Sequence, residues 1–480
     1  MRQPDNLIEI LTMRAEHAPE DIAFSYLDDQ SNIVYQLSNQ QLHTRAAAVA
    51  GRLQQIISPS DRVLLLFPQG LEFIYAFMGV MYSGAIPVIT APPRDIQCDE
   101  IRRPDIKNII EKTNSNIVLT SASILNEVVQ YFFKSKSLSE NIILSVEEIT
   151  DDLMNRWSMP SIKNSNVAYL QRTFSTEEAA KLVMISHDNM HHTHERIKRE
   201  YKLTTSSRSV NWLPHYHYLG MVFGILQPLY CGYKGYIYSQ FDFYKNPHGW
   251  LNVITRYDIT FSGAPNFAYS MCLEQDIDSQ QNFDLSHWNI AYNSGEFIKK
   301  EIMDGFFERF SCYGLQKTAL TAIYGLSEST CVAFTKNYLN NFTIIPRKLM
   351  QEVSVDLIDN NQDSNGNVKI INCGSSSIDT QIAIVIPGTR TRCHDLELGE
   401  VLVSSPCNAI GYWNQSEKTE KIFNIYLDHS DDGPYLRTGN LGFIKEKDIH
   451  VISGLKDYQQ PTRFSVDISL DEFENEKNAN

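Results

Sequence analysis

The sequence predicts a large α/β protein whose strands are mostly parallel, followed by a smaller β-rich part. Short apolar segments of strand length alternate with helical sequence along most of the chain, which is typical of parallel strands joined by helices. The chain has 480 residues, 42% of them hydrophobic, enough for two or three packed cores. After about residue 370 the strands become shorter and are separated by glycine, proline and aspartate, which favours a β-rich subdomain.

Individual elements follow from local signals, in chain order. Ser38-Asn-Gln-Gln41 has the form of a capping box, so we expect a helix that runs to about Ile56. The apolar tract 63–90 is interrupted by proline, glutamate and glycine, and it predicts a strand, a core helix and a second strand rather than a membrane span. The other predicted strands are 62–67, 116–120, 210–213, 259–262, 381–385, 399–404 and 449–452.

Charge and cysteine usage exclude several classes of protein. The net charge of −15 argues against nucleic acid or an anionic membrane surface as a partner. The cysteines contain no C-x-x-C pair, so neither a zinc site nor a disulfide framework is indicated. The first residues lack the apolar core of a signal peptide. We therefore expect a cytoplasmic protein with reduced thiols and no transmembrane segment.

The segment 168–187 has the spacing of a phosphate-binding loop without the glycines. Glycines in such loops let backbone N–H groups close on the phosphates, while hydroxyl groups and a lysine hold their charge. Residues of the second kind remain at Thr173, Thr176 and Lys181. Taken alone, the segment is better explained as a plain polar surface loop, which is the commoner origin of such a sequence.

The motifs downstream make this segment interpretable. They are Trp212-Leu-Pro-His-Tyr-His217-Tyr-Leu-Gly220, Ser262-Gly-Ala-Pro-Asn-Phe-Ala-Tyr269, Tyr292-Asn-Ser-Gly-Glu296, Tyr324-Gly-Leu-Ser-Glu-Ser-Thr330, Gly399-Glu-Val-Leu-Val403, Gly411-Tyr-Trp413 and Arg437-Thr-Gly-Asn-Leu-Gly-Phe443. In order and spacing the chain resembles the fatty-acyl-AMP ligases, a branch of the acyl-CoA synthetase superfamily, from about residue 7 to Asp457. The resemblance implies the large N-terminal domain of adenylate-forming enzymes, with two mostly parallel sheets, helical layers and a barrel-like β subdomain.

The same resemblance divides the chain. Residues 1–457 correspond to the large AMP-binding domain, with the β-rich subdomain from about 371. The family carries a catalytic lysine on a further C-terminal lobe, whereas only the 23 residues 458–480 follow Asp457. This is too short for a lobe with its own core. We therefore expect 458–480 to be a hinge remnant and an acidic tail, with the C-terminal catalytic lobe absent.

The resemblance also implies ATP or AMP and Mg²⁺ as cofactors, and several substitutions oppose their binding. Four residues stand where the family has small residues or glycine: Phe174, Ser175, Glu178 and Leu182. Glu177 and Glu178 place two carboxylates where a polyanion would lie. The family's ribose-binding aspartate is Asn440, and the arginine of its G-R-x-K-D motif is Gly454. We expect the cofactors to bind weakly or not at all.

Other site residues keep the family's identity. Glu328 matches the Mg²⁺-ligating acid, although a Ser-Glu pair also commonly begins a helix. The catalytic candidates are His217, Glu328 and a vestigial Lys181. The cofactor-binding candidates are Thr173, Thr176, Ser294, Gly295, Glu296, Tyr324, Gly325 and Asn440.

The acyl pocket is the better preserved part of the resemblance. Residues 212–220 match an element that borders the substrate carboxylate, with Tyr218 in place of the family's aspartate. Residues 263–267 match a wall of the acyl tunnel, where small residues leave room for an alkyl chain. The alternative for this second element is ordinary strand-to-helix packing around Pro265. The acyl-pocket candidates are Trp212, His217, Gly220, Gly263, Asn266 and Phe267.

A histidine cluster within 187–194 is a candidate zinc site. It comprises His187, His191, His192 and His194. Two of its imidazoles could lie one helical turn apart, as in zinc sites, but no third ligand pattern is visible. A solvated helix face is the simpler interpretation.

Three functions remain open from the sequence. The first is a pseudoenzyme that keeps the ligase fold and binds a fatty acyl or acyl-adenylate ligand. The second is a fatty-acyl-AMP ligase with residual activity, supported by Lys181 and Glu328. The third is a protein-interaction scaffold that binds no ligand. A fatty acyl molecule is the expected ligand, and an acyl carrier protein is a partner implied by the resemblance alone.

Overall fold

The structure is a computed structural model and describes residues 6–93, 105–134, 138, 140–173, 181–277, 282–336, 342–345, 367–376, 379–428, 433–454 and 464–465. Three sequence predictions lie outside these residues. They concern Thr176 with the rest of the loop 174–180, the residues 455–457 of the hinge motif, and the segment 458–480 apart from 464–465.

The described helices lie mainly in the first three-quarters of the chain. They are α1 (Leu7–His17), α2 (Asn39–Leu53), α3 (Leu71–Tyr82), α4 (Ile106–Thr113), α5 (Leu125–Phe133), α6 (His187–Tyr201), α7 (Tyr218–Met221), α8 (Gln227–Cys231), α9 (Gln240–Lys245), α10 (His248–Arg256), α11 (Asn266–Glu274), α12 (Lys300–Phe310) and α13 (Ser416–Phe423). A π-helical segment, Val222–Leu226, joins α7 to α8. Within the described ranges, every helix is too short or too polar to cross a bilayer.

Strands occur along the whole chain. They are β1 (Ile22–Leu27), β2 (Ile33–Ser38), β3 (Arg62–Leu66), β4 (Ile86–Thr90), β5 (Ile117–Thr120), β6 (Ile142–Ser145), β7 (Val167–Arg172), β8 (Leu182–Ser186), β9 (Arg208–Asn211), β10 (Lys234–Ile237), β11 (Phe261–Ala264), β12 (Ile290–Asn293), β13 (Leu320–Leu326), β14 (Ser329–Lys336), β15 (Phe342–Ile345), β16 (Val368–Ser376), β17 (Gln381–Val385), β18 (Glu397–Ser404), β19 (Gly411–Tyr412), β20 (Leu436–Lys445), β21 (Asp448–Gly454) and β22 (Phe464–Ser465).

Among the described residues, these strands form two sheets. The smaller sheet has the order β19-β8-β7-β4-β3-β5-β6 and is parallel from β7 to β6. The larger sheet is parallel from β1 through β10, β9, β11 and β12 to β13. It continues antiparallel through β14, β16, β21, β20, β18 and β17. The predicted α/β fold is confirmed, and the late β-rich strands extend the larger sheet.

Elements predicted from patterns among neighbouring residues are found where the sequence places them. Ser38 Oγ accepts the N–H of Gln41 at 3.2 Å, and the Gln41 side chain accepts the N–H of Ser38 at 2.9 Å. This capping box opens α2 as expected. The tract 63–90 forms β3, α3 and β4, and α3 is buried at every position except Glu72. The strand predicted at 210–213 ends at Asn211, because the next residues belong to the loop that leads to α7.

The histidine-rich helix α6 is less exposed than its sequence predicts. His187 and His194 are buried, and His194 Nδ1 lies 2.7 Å from Gln227 Oε1 of α8. Among the described residues, no group of three or more histidine, cysteine, aspartate and glutamate side chains is arranged to hold a metal ion. The prediction of a solvated face is wrong for these two positions because α8 packs on that face.

Candidate functional site

The candidate site lies at the carboxyl ends of parallel strands. The segments that follow β9, β11, β12 and β13 leave the larger sheet at one edge, since these strands are parallel. In α/β proteins this edge is where ligands bind, because the loops that carry side chains converge there. The segment that follows β7 leaves the smaller sheet in the same way.

Hydrogen bonds between Thr173 and Lys181 join the two strands that flank the segment 174–180, here called the phosphate-type loop. The N–H of Thr173 donates to the carbonyl of Lys181 at 2.9 Å, and the N–H of Lys181 donates to Thr173 Oγ1 at 3.1 Å. The first bond extends the antiparallel ladder of β7 and β8 by one step, and the second adds a side-chain contact across the same pair of residues. β7 and β8 are therefore neighbouring antiparallel strands up to Thr173 and Lys181, and the hydroxyl of Thr173 already accepts a bond between them.

The turn after β13 and Lys181 meet at a tyrosine. Tyr412 donates its hydroxyl to Glu328 Oε1 at 2.7 Å. The Lys181 ammonium lies 5.2 Å from the centre of the Tyr412 ring, within the range of a cation–π contact. The catalytic candidates Glu328 and Lys181 therefore contact the same side chain, Glu328 at the hydroxyl of Tyr412 and Lys181 at its ring.

The segment 405–413, here called the strap, holds this region together. Ser329 Oγ donates to Asn408 Oδ1 at 2.7 Å, and the N–H of Ala409 donates to the carbonyl of Glu328 at 2.8 Å. At its end the strap pairs with β8 through β19. The strap therefore connects the turn that carries Glu328 with the strands that flank the phosphate-type loop.

Glu328 suits a cation that is bound mainly through a ligand's phosphates. Its side chain is half-buried, and the carboxylate oxygen Oε2 has no hydrogen-bond partner among the described residues. Mg²⁺ in nucleotide sites commonly uses one or two carboxylates together with phosphate oxygens and water. Glu328 would supply such a carboxylate.

The ribose-side candidate Asn440 is hydrogen-bonded to Tyr324, another cofactor-binding candidate. Asn440 Nδ2 donates to the Tyr324 hydroxyl oxygen at 3.1 Å. Burial raises the pKa of Tyr324, so its hydroxyl stays neutral. The turn before Asn440 is fixed by Thr438, whose Oγ1 accepts the Asn440 N–H at 3.1 Å and donates to the Val401 carbonyl at 2.8 Å. Since Nδ2 is engaged, Oδ1 is the acceptor that Asn440 offers to a ligand.

His217 and Tyr218 stand at the start of α7. His217 Nδ1 accepts the N–H of Leu219 at 3.3 Å, which leaves Nε2 as the protonated nitrogen of the neutral ring. Burial lowers the pKa of His217 to about 4, so near neutral pH the ring is a hydrogen-bond donor without charge. The Tyr218 hydroxyl donates to the Gly325 carbonyl at 3.2 Å. Tyr218 therefore ties α7 to β13.

An aromatic wall lies beside α7. The ring of Trp212 is stacked on Phe243 at 3.7 Å and meets the edge of Phe267 at 6.0 Å. Phe267 is parallel to Tyr244 at 6.2 Å. Trp212 is 1% exposed, whereas Phe267 is 37% and Tyr244 45% exposed. The accessible part of this wall is consequently formed by Phe267 and Tyr244, with Trp212 supporting them from behind.

Asn266 joins the acyl-side and cofactor-side candidates. Its Oδ1 accepts from Asn293 Nδ2 at 2.7 Å and from the Lys299 N–H at 3.2 Å, and its Nδ2 donates to the Phe297 carbonyl. The amide is thus occupied in fixing the segment 294–299 after β12. Glu296, from that segment, accepts the N–H of Phe267 at 3.1 Å. Ser294 and Gly295 lie in the same segment.

Three of the glycines assigned to the site fill close-packed positions. A Cβ atom on Gly263 would lie 2.0 Å from the Tyr292 carbonyl oxygen on the neighbouring strand. One on Gly220 would lie 2.2 Å from the Pro214 carbonyl oxygen, and one on Gly325 would lie 2.6 Å from the Cys331 nitrogen. The space that a side chain at position 263 would need is therefore already occupied by the neighbouring strand. A tunnel wall at Gly263 remains a prediction, and a substitution there tests packing first.

The sequence missed Tyr412 as a site residue. The motif 411–413 contains this residue, but Tyr412 is 84 positions from Glu328, and no local pattern predicts that contact. Arg437 was missed for the same reason. It pairs with the buried carboxylate of Glu400, 37 positions away, and this pair supports the turn that carries Asn440.

Known proteins with similar sequences and structures share this arrangement of elements. The family model described as AMP-binding enzyme matches residues 11–413. The chain is 32% identical to the medium-chain-fatty-acid–acyl-carrier-protein ligase JamA of Moorena producens, over 98% of the chain and 82% of that protein. It is 28% identical to the long-chain-fatty-acid–AMP ligase FadD28 of Mycobacterium tuberculosis, over 92% of the chain and 77% of that protein.

Solved structures agree with these relatives. The crystal structure of a fatty acid AMP ligase from Legionella pneumophila has a TM-score of 0.85 and 31% sequence identity, covering 95% of this chain and 77% of that one. A fatty acyl-adenylate ligase from L. pneumophila, solved with acyl adenylate and pyrophosphate, has a TM-score of 0.84 and 31% identity, covering 95% of this chain and 78% of that one.

Proposed function

Because the chain belongs to the AMP-binding enzymes, in the branch of the fatty-acyl-AMP ligases, we propose that it binds a fatty acyl or acyl-adenylate ligand and is impaired in adenylation. The observation that carries the proposal is the contrast between the two sides of the site. The aromatic wall beside α7 is assembled and partly accessible, whereas the nucleotide side has lost charge complementarity at several positions.

The acyl side supports ligand binding. Phe267 and Tyr244 present accessible apolar surface, and the neutral ring of His217 at the start of α7 can donate a hydrogen bond. Each methylene of an acyl chain that leaves water contributes about 0.8 kcal/mol, so binding of a long chain does not require contacts to a triphosphate. A relative bound to acyl adenylate makes this class of ligand the natural candidate.

Three features support impaired adenylation. Glu177 and Glu178 bring negative charge to the loop that would hold phosphates. Two like charges about 4 Å apart repel by roughly 4 kcal/mol at an effective dielectric constant of 20. Asn440 replaces a charged ribose ligand, which reduces that hydrogen bond from about 1.5–3 to about 0.5–1.5 kcal/mol. Gly454 supplies no guanidinium.

A residually active ligase is the second candidate. The contact of Tyr412 with both Glu328 and Lys181 favours it, because an acid and a lysine suited to a Mg²⁺–nucleotide are still held together. An active ligase would use ATP with Mg²⁺, whereas for the impaired protein we expect ATP, AMP and Mg²⁺ to bind weakly or not at all. The name of JamA makes an acyl carrier protein the acceptor to test for the activated acyl group.

Two assays distinguish the candidates. Calorimetric titrations with ATP and with a long-chain fatty acid should give saturable binding of the fatty acid and very weak binding of ATP. Fatty-acid-dependent exchange of pyrophosphate into ATP should be absent or strongly reduced relative to an intact ligase such as JamA. Exchange at a comparable rate would establish the second candidate and refute the impairment.

A further inference from the structure

Tyr412 is held in place by elements outside the site. Its ring is 4% exposed and meets the ring of Phe423 from α13 edge-on at 5.1 Å. Its N–H donates to Thr419 Oγ1 at 2.9 Å. Gly411 has a φ of +141°, and a Cβ there would lie 2.4 Å from Thr419 Cγ2. The backbone and ring of Tyr412 are therefore fixed by α13 and by β8, and its hydroxyl has a defined position.

That position determines what the hydroxyl can do for Glu328. The half-buried carboxylate lies in a tight turn between β13 and β14, whose backbone is bonded to Ala409 of the strap. The Tyr412 hydroxyl occupies a lone pair of Oε1 at 2.7 Å. A carboxylate held by one oxygen cannot rotate freely, so Oε2 keeps a constant direction. Holding a metal-binding carboxylate in one orientation reduces the entropy lost when the carboxylate binds a cation.

We infer that Tyr412 is a positioning residue that orients the Glu328 carboxylate for a divalent cation bound with a nucleotide. The inference rests on the proposed function for the identity of that ligand. The hydroxyl carries the effect on Glu328, while the ring carries the contact with Lys181. Removal of the hydroxyl alone should consequently weaken binding of the cation and leave the contact of the ring with Lys181 in place.

The test uses Mn²⁺ as a paramagnetic probe, titrated at millimolar ATP and followed by electron paramagnetic resonance. Tyr412→Phe should weaken Mn²⁺ binding about 3- to 10-fold, and Glu328→Gln at least as much. The double variant should bind no more weakly than Glu328→Gln, because the hydroxyl acts through the carboxylate. The matched control is Tyr257→Phe, which removes a hydroxyl bond of similar length, 2.8 Å to the Ser31 carbonyl, at a distant surface.

Wild-type Mn²⁺ affinity in Tyr412→Phe, or additive losses in the double variant, would overturn the inference. Hydrogen exchange of the ligand-free protein provides a second readout that does not depend on nucleotide binding. Exchange over 326–330 should be faster in Tyr412→Phe and unchanged in Tyr257→Phe. If the wild-type protein binds no Mn²⁺ in the presence of ATP, the proposal that it binds a nucleotide is refuted. The positioning role of Tyr412 is then tested by hydrogen exchange alone, and unchanged exchange over 326–330 in Tyr412→Phe would refute it.

Discussion

The side-chain amide of Asn440 donates a hydrogen bond of 3.1 Å to the hydroxyl oxygen of Tyr324, 116 positions earlier in the chain. Tyr324 is buried and Asn440 is half-buried. The bond gives the amide one orientation, with Oδ1 left as a neutral acceptor. An aspartate at this position could instead accept the Tyr324 hydroxyl with one oxygen and offer a charged oxygen to a ribose.

Asn440→Asp should therefore strengthen nucleotide binding. A charged acceptor adds about 1 kcal/mol to such a hydrogen bond, which corresponds to roughly 5-fold in affinity. The measurement is the dissociation constant of AMP by calorimetry, since AMP avoids the additional charge of the triphosphate. The control is Asn289→Asp, which adds the same charge at an exposed position before β12, at the end of that strand away from the site. It should leave AMP affinity unchanged. Equal AMP affinity in Asn440→Asp and wild type would exclude Asn440 as a ribose contact.

Phe267→Ala should reduce the affinity for acyl chains. The ring is exposed and meets Trp212 and Tyr244, so its removal takes away accessible apolar wall. We expect a loss of about 3- to 10-fold for a long-chain ligand and a smaller loss for a short one, measured by displacement of a fluorescent lipid. Phe241→Ala is the control, because Phe241 is 46% exposed but contacts Lys245 instead. A similar loss in both variants would contradict a specific role for Phe267.

Gly263→Ala should destabilise the fold. The new Cβ would lie 2.0 Å from the Tyr292 carbonyl, and such overpacking typically costs about 1–3 kcal/mol. Gly305→Ala, in the middle of α12, would bring its Cβ no closer than 3.5 Å to Leu273 and should be neutral or stabilising. Denaturant unfolding of both variants compares the two sites. A wild-type midpoint for Gly263→Ala would mean that β11 and β12 can separate without cost.

Acid should destabilise the protein through its buried histidines. His215 packs against Phe73, with the ring centres 3.9 Å apart and the rings tilted by 31°, and burial lowers the pKa of His215 to about 3. An unfolded histidine has a pKa of about 6.5, so the unfolded chain binds more protons between these values, and stability falls as the pH falls. His187 and His194, whose pKa values burial lowers to about 4, act in the same direction.

His215→Phe removes one of these protonation sites and keeps a ring against Phe73. Between pH 6 and pH 4 the free energy of unfolding should depend less steeply on pH, by about 1 kcal/mol per pH unit. Urea unfolding at several pH values measures this slope. Parallel curves for the variant and the wild type would show that His215 does not contribute to acid sensitivity.

The sequence predicts elements well where the signal is local. The capping box at Ser38 and the alternation in 63–90 depend on neighbouring residues, and both lead to the observed α2, β3, α3 and β4. The family motifs correctly bring Glu328 and Lys181 into one region. The contacts that define the site could not be predicted, because they join residues far apart in the chain, as Tyr412 with Glu328 and Asn440 with Tyr324 do.

Burial is the second property that the sequence left undetermined. The polar run at the start of α6 is typical of an exposed helix face, yet His194 is buried against Gln227. Likewise, Gly263 in a tunnel motif can leave room for a ligand or for a neighbouring strand, and the distance to Tyr292 indicates the strand. Which of two partners fills the space beside a residue depends on packing between distant segments.

The most direct measurement is a calorimetric titration with two nonhydrolysable acyl-adenylate analogues that differ only in a short and a long acyl chain. We predict saturable binding of both, with the long-chain analogue bound at least 10-fold more tightly, because the additional methylenes are buried beside Phe267. Equal affinities, or no binding of either analogue, would contradict an acyl or acyl-adenylate site in this protein and would favour an interaction scaffold.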